Sequence, residues 1–172
     1  MTPALTSRLD GVLAAFDQAT RRLAARLSGA SGAEAVQAPE GGGWTPAQIG
    51  AHVAAFNSLL AGVVSGDAPG AQPAPDGFVE TPWADMTVAL QGRLETPDLL
   101  QPPSDVTREA ALQALAEGAA QVAAAFGGLT EARARLTFTY SPVGTLTLPQ
   151  VGEWMTAHTI RHNAQLKRVL GR

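Results

Sequence analysis

Residues 147–171 read TLPQVGEWMTAHTIRHNAQLKRVLG. Thr147 and Gln150 form a capping-box pair, which marks a helix start. Val151, Met155, His158, His162, Leu166 and Val169 then recur at steps of three or four, which puts them on one face. Lys167 and Arg168 suit the last turn, where cations meet the negative end of the helix dipole. Gly171 reads as the stop. The stretch therefore predicts a helix whose inward face carries two histidines.

Three more segments upstream share this periodicity. Leu5, Leu9, Val12, Phe16, Thr20, Leu23 and Leu27 form one stripe, and Gly29 with the Ser/Gly/Ala run after it reads as a stop. A second helix opens at Trp44, with Thr45 as cap, Pro46 at the first helical position and Gln48 completing a capping box. Its stripe is Ile49, His52, Val53, Phe56, Leu59, Leu60 and Val63, with Gly66 and Asp67 at its end. A third starts near Thr107, with Glu109 in the first turn, and runs through Leu112, Leu115, Ala119, Val122 and Phe126 to Gly127 and Gly128.

Two segments fall outside this pattern. Residues 66–104, rich in Pro and Gly, are too long for an ordinary connection and predict a wrapping crossover. Within it, Phe78, Trp83, Met86, Val88 and Leu90 suggest that part packs down, and Thr81-Pro82-Trp83 suits the start of a short helix. Residues 136–140 alternate apolar and polar at Leu136, Phe138 and Tyr140, and Ser141-Pro142-Val143-Gly144 reads as a turn. A short extended pair is expected there, leaning on the helices, since two strands alone are marginal. The pattern as a whole predicts an all-α, four-helix bundle with a long crossover between helices two and three and a short extended segment before helix four.

The 172 residues suit one domain, residues 1–172, with a sizeable core. Hydrophobic residues make up 45% and charged residues 16%, the balance of a folded chain and not a disordered one. A formal charge of -3 offers no basic face for nucleic acid. No basic amphipathic segment suggests a membrane surface, and no run reaches the roughly 18 uninterrupted apolar residues of a membrane span. The N-terminus lacks a basic region followed by an unbroken apolar run, so no signal peptide is expected and a cytoplasmic protein is the default. There is no cysteine, which excludes disulfides and thiolate metal sites.

The chain has three histidines. His158 and His162, four apart on one helix, lie about 5–6 Å apart at Cβ, close enough for both imidazoles to reach one ion. Read singly, such a pair is as often a surface accident, and His52 on an apolar stripe is more often a core histidine satisfied by a hydrogen bond. Together, three costly-to-bury imidazoles on inward stripes call for a common partner. If helices two and four are neighbours, His52 supplies a third ligand. Three neutral imidazoles suit Zn²⁺, Ni²⁺, Fe²⁺, Mn²⁺ or Cu²⁺, with Zn²⁺ or Ni²⁺ favoured, and do not suit Ca²⁺ or Mg²⁺. They leave a position open for water or substrate, the pattern of a catalytic site.

Two stretches resemble the DinB/YfiT-like superfamily of metalloenzymes. One is Trp44-Thr45-Pro46-Ala47-Gln48-Ile49-Gly50-Ala51-His52-Val53, with a His eight residues after the Trp. The other is Gly144-Thr145-Leu146-Thr147-Leu148 leading to His158-x3-His162 and Gln165. The first helix and the crossover match by pattern alone. The resemblance implies a bundle of up-down-down-up topology, often dimeric, with a metal bound by His52, His158 and His162. It also implies thiol-dependent transferases and isomerases that use a low-molecular-weight thiol such as bacillithiol, mycothiol or glutathione.

Three functions are in play. In a thiol S-transferase, metal would stabilise the thiolate of a small cosubstrate that attacks a small electrophile. A hydrolase needs a general base. Thr159 stands where a metalloprotease helix has Glu, Glu153 is expected to turn away, and Glu80 and Asp85 would have to approach from the crossover. A binding protein without turnover is the third. Of the remaining polar and aromatic residues, Trp44 and Trp154 read as packing residues and Gln165 as a hydrogen-bond partner for a ligand histidine. Arg161 and Asn163 are expected to face away from the ion. Tyr140 is a weak substrate contact, and Gly41-Gly42-Gly43 is a lead into Trp44 that lacks the Lys-Ser/Thr of a phosphate loop.

Overall fold

A threonine precedes each of the four long helices. Thr2 Oγ1 accepts from the Leu5 amide, Thr45 Oγ1 from Gln48, and Thr107 Oγ1 from Ala110. Each satisfies an amide that the first helical turn leaves without a partner. Thr147 pairs with Gln150. Its N–H donates to Gln150 Oε1, while its hydroxyl donates to Glu80 at 2.6 Å.

The computed structural model describes residues 1–89, 92, 95–140 and 143–171. In chain order its elements are α1 (Pro3–Ser28), α2 (Gly32–Val36), α3 (Pro46–Ser65), β1 (Gln72–Pro73), α4 (Trp83–Ala89) and a 3-10 turn (Asp98–Leu100). Then come α5 (Arg108–Gly127), α6 (Glu131–Ala134), β2 (Leu136–Tyr140), β3 (Gly144–Thr147) and α7 (Leu148–Leu170). The protein is mostly helical, with a small three-stranded sheet.

Helix α1 packs on α7 and α5, and α3 packs on α5 and α7. Small residues permit these approaches. A Cβ on Gly118 of α5 would meet the Ala54 carbonyl of α3 at 3.3 Å. A Cβ on Gly152 of α7 would lie 2.7 Å from both Phe126 Cζ and Val12 Cγ1. One apolar cluster gathers Phe16, Phe56, Leu60, Phe126, Trp154 and Met155. A second gathers Leu23, Leu27, Ile49, Val53, Leu115 and Leu166. Val53 and Phe56 belong to different clusters, and His52 sits on α3 where they meet. Helix α3 has the length and hydropathy of a membrane span, but 67% of its most apolar window is buried inside the molecule.

The sheet is the departure from an all-α architecture. β2 and β3 form the expected antiparallel pair, with Phe138 opposite Leu146 and Tyr140 opposite Gly144. β1, from the crossover, adds a third strand with Gln72 opposite Thr137. Ser141, Pro142 and Leu90 lie outside the described residues. Two single-turn helices also escaped the periodic reading. The run after Gly29, read as a stop, holds α2, closed by a capping box between Ser31 and Glu34. Thr130 caps α6. Both are too short to show a stripe.

The crossover packs down less than its apolar residues suggested. Met86 is buried and Phe78 half-buried, while Trp83 and Val88 are exposed. Polar contacts pin it instead. Gln150 donates to the Thr81 carbonyl, Gln48 to Pro103, and Arg8 to both Glu80 oxygens at 3.0 and 3.1 Å.

Candidate metal centre

Because α3 packs on α7, the inward stripe of each faces the other, and the three histidines meet. All three are buried. His158 Nε2 lies 3.3 Å from His52 Nε2 and 3.1 Å from His162 Nε2. The three donor atoms all lie within 4.8 Å of one another.

The outer ring nitrogens fix the tautomers. His52 Nδ1 lies 2.9 Å from the Leu100 carbonyl, which can only accept, so Nδ1 carries the proton. His162 Nδ1 donates to Gln165 Oε1 at 2.7 Å. In these neutral rings the Nε2 atoms are therefore unprotonated, and both lone pairs point toward His158 Nε2. Nδ1 of His158 is buried without a partner, and its ring stacks on Phe56 with centroids 3.9 Å apart. Lone pairs converging in a buried site repel one another unless a cation lies between them. Two nitrogens on a tetrahedral zinc ion, each about 2.1 Å away, are about 3.4 Å apart. The 3.3 and 3.1 Å spacings from His158 fit that donor set.

Burial keeps the rings neutral, as ligands must be. It lowers His52, opposed by the Leu100 bond. It lowers His158 well below the usual range, helped by the neighbouring charges of His162, His52 and Arg161. His162 falls to about 3, through burial first and the charge of His52 next, against the bond to Gln165.

The histidines face a cavity of about 840 Å³. Trp44 is part of its wall, not packing alone, with its ring centroid 4.5 Å from that of His52. Trp154 is packing, as expected, and also touches the cavity. Tyr140 and Gln165 line it too. Arg161, expected to face away, lines the cavity and donates to the Gly92 carbonyl. Asn163 does not line it.

The carboxylates are placed less favourably for hydrolysis. Glu153 and Glu80 are both bonded to Arg8, and neither they nor Asp85 line the cavity. Among the described residues, Glu95 is the carboxylate that does, and it is exposed. Three contributors were missed from sequence. Leu100 acts through its backbone carbonyl, which no side-chain pattern reveals. Glu95 sits in an aperiodic segment. Arg168, read only as a last-turn cation, lies three residues after Gln165 and so one turn further along the same side of α7.

No curated protein and no solved structure matches the chain. The family profile described as the DinB superfamily matches residues 15–166, which span every histidine and all four long helices in part or whole. By that match the chain belongs to the DinB superfamily.

Proposed function

We propose that His52, His158 and His162 hold one divalent metal ion through Nε2, Zn²⁺ or Ni²⁺ in preference. We further propose that the chain is a metal-dependent thiol S-transferase acting on small electrophiles. The observation that carries this reading is the convergence of three Nε2 atoms, two of them deprotonated by their outer hydrogen bonds, beside a cavity. When bound, such an ion stabilises the thiolate of a small cosubstrate at neutral pH.

The chain's own residues supply position and shelter. The Leu100 carbonyl and Gln165 orient two of the imidazoles, and Phe56 holds the third by stacking. Trp44 and Phe56 give the cavity aromatic surface beside the histidines. The chain has no cysteine, so the nucleophilic sulfur comes from solution. Sulfur forms a bond to the electrophilic carbon, whose leaving group departs with the bonding pair. Hydrolysis is disfavoured because Glu80 and Glu153 are committed to Arg8. The same reading takes residues 1–172 as one domain, with the long helices in up-down-down-up order.

The test has two stages. Purified protein is analysed for metal beside His52→Ala and His158→Ala. About one ion per chain, lost in both variants, is expected, and metal unaffected by both changes would end the reading. Turnover of a halogenated nitroarene is then followed with and without small thiols. Thiol-dependent loss of the dye supports the transferase. Metal without turnover across thiols and esters favours a binding protein.

A further inference from the structure

One end of the cavity is aromatic and offers uncharged hydrogen-bond donors. Strand β3 runs directly into α7, so the β2–β3 hairpin stands at the N-terminal end of that helix. Tyr140, the last residue of β2, lines the cavity there. Its ring meets Phe56 edge-on with centroids 5.9 Å apart, and Phe56 stacks on His158. Trp154 lines the cavity from α7, one turn before His158 and about 6 Å from it along the axis. Arg161 and Arg168 follow His158 on the same helix and so lie toward the other end.

Both aromatic side chains hold an unused donor. Trp154 is 1% exposed, and its Nε1 is buried with no hydrogen-bond partner. An indole N–H donates and cannot accept, and leaving one buried and unpaired is costly. Tyr140 is half-buried. Burial alone acts on its hydroxyl and raises its pKa, so the phenol stays protonated and able to donate.

We infer that this end of the cavity binds a neutral acceptor oxygen of carbonyl or nitro type, carried on a flat apolar body, with the Tyr140 hydroxyl and the Trp154 indole N–H as its donors. A doubly bonded oxygen has two lone pairs and accepts from two donors at once. A carboxylate fits less well, since neither donor carries the charge that would offset its desolvation. Resting on the proposed thiol chemistry, the inference names the electrophile as one whose reacting carbon is conjugated to that oxygen. As the electron pair of sulfur forms the bond to carbon, a π pair moves onto the oxygen, where the two donors meet the charge. The pair returns as the leaving group departs with its bonding electrons.

The experiment reads binding apart from turnover. The chain has three tryptophans, so ¹⁵N-labelled protein gives three indole N–H signals. Loss of one in Trp154→Phe assigns that residue; if this variant does not fold, Trp44→Phe and Trp83→Phe assign it by elimination. The probes are acetophenone and α-methylstyrene, which have one shape and differ in carrying oxygen or CH₂. Acetophenone is expected to move the Trp154 indole proton downfield, and α-methylstyrene to leave it in place. Tyr140→Phe removes a hydroxyl that bonds nothing in the fold, so the variant should melt as the wild type does. It is expected to weaken acetophenone about five-fold, the loss of one neutral hydrogen bond, and to leave α-methylstyrene unchanged. With 1-chloro-2,4-dinitrobenzene and glutathione, kcat/KM should fall about tenfold or more in the same variant, the loss of a donor to developing charge.

An indole signal unmoved by acetophenone, with Tyr140→Phe binding both probes as the wild type does, overturns the inference even where thiol-dependent turnover is found. Equal weakening of both probes in Tyr140→Phe overturns it too, because the hydroxyl then does not donate. The indole shift and the selective loss together, without thiol-dependent turnover, uphold the acceptor site and remove the transferase.

Discussion

The Nδ1–H of His52 donates to the carbonyl oxygen of Leu100 at 2.9 Å, across 48 residues of chain. It ties α3 to the 3-10 turn of the crossover, whose Leu100 is itself buried and lines the cavity. An ion at Nε2 holds the ring in the orientation that makes this bond, so by linkage metal binding also favours the docked crossover. Added Zn²⁺ is expected to slow amide hydrogen exchange in residues 97–101 by roughly five-fold or more, the lower end of ordinary coupling energies. His52→Ala should abolish the effect. Protection confined to α3 and α7 would show that the crossover is not coupled to the site.

Gln165 does for His162 what Leu100 does for His52, and it is a side chain that can be changed. Its Oε1 accepts from Nδ1 at 2.7 Å. Loss of such an outer partner costs about 10–100-fold in metal affinity. Gln165→Ala is expected to show that loss in competition with a chromophoric chelator. Gln165→Glu keeps an acceptor and should retain most of the affinity. Equal weakening by both would mean that bulk at this position matters and the hydrogen bond does not.

These outer partners also show what the sequence could reveal. The helices that carry the histidines were legible because their stripes are long and their caps complete: Thr45 with Gln48, and Thr147 with Gln150. His158 and His162 followed from spacing alone. His52 joined them on the premise that α3 and α7 are neighbours, which helical periodicity does not determine, and on the family resemblance. Leu100 was invisible because its contribution is a backbone carbonyl. Arg8 was equally hidden. Its partners Glu80 and Glu153 lie far along the chain, and their commitment to it removes two of the three carboxylates considered as a base. The third strand was missed because two residues, Gln72 and Pro73, are too few to alternate.

Close helix packing makes two glycines behave oppositely. A methyl on Gly152 would sit 2.7 Å from Phe126 Cζ and from Val12 Cγ1, inside the junction of α7, α5 and α1. Neither neighbour is free to swing away, since Phe126 and Val12 are both buried. Gly152→Ala should therefore destabilise by about 1–3 kcal/mol, the usual cost of overpacking. Gly11, on the exposed face of α1, has nothing within 4 Å of its Cβ position. There Gly11→Ala should stabilise by about 0.4–1 kcal/mol, by reducing the freedom of the unfolded chain. Urea denaturation of both variants checks the contrast, and a neutral Gly152→Ala would mean that the junction has room.

Glu80 links the crossover to α1 and to the start of α7, through Arg8 and Thr147. Burial alone would raise its pKa, but the bonds from Thr147 and Arg8 and the Arg8 charge outweigh this, so the carboxyl is held below its ordinary 4.5. A carboxylate depressed in the folded state binds fewer protons than it does unfolded, so its stabilisation is full above the unfolded value. It is lost as pH falls through the folded value. Glu80→Gln removes the charge while keeping an acceptor for Thr147. The melting temperature of the wild type should therefore exceed that of the variant at pH 7, and the gap should shrink below about pH 4.5 and close in stronger acid. Because the group is partly exposed, the difference at pH 7 is expected to stay within about 1 kcal/mol and to diminish in high salt. A gap that stays constant from pH 7 to pH 3 would show that the pairing with Arg8 contributes nothing through charge.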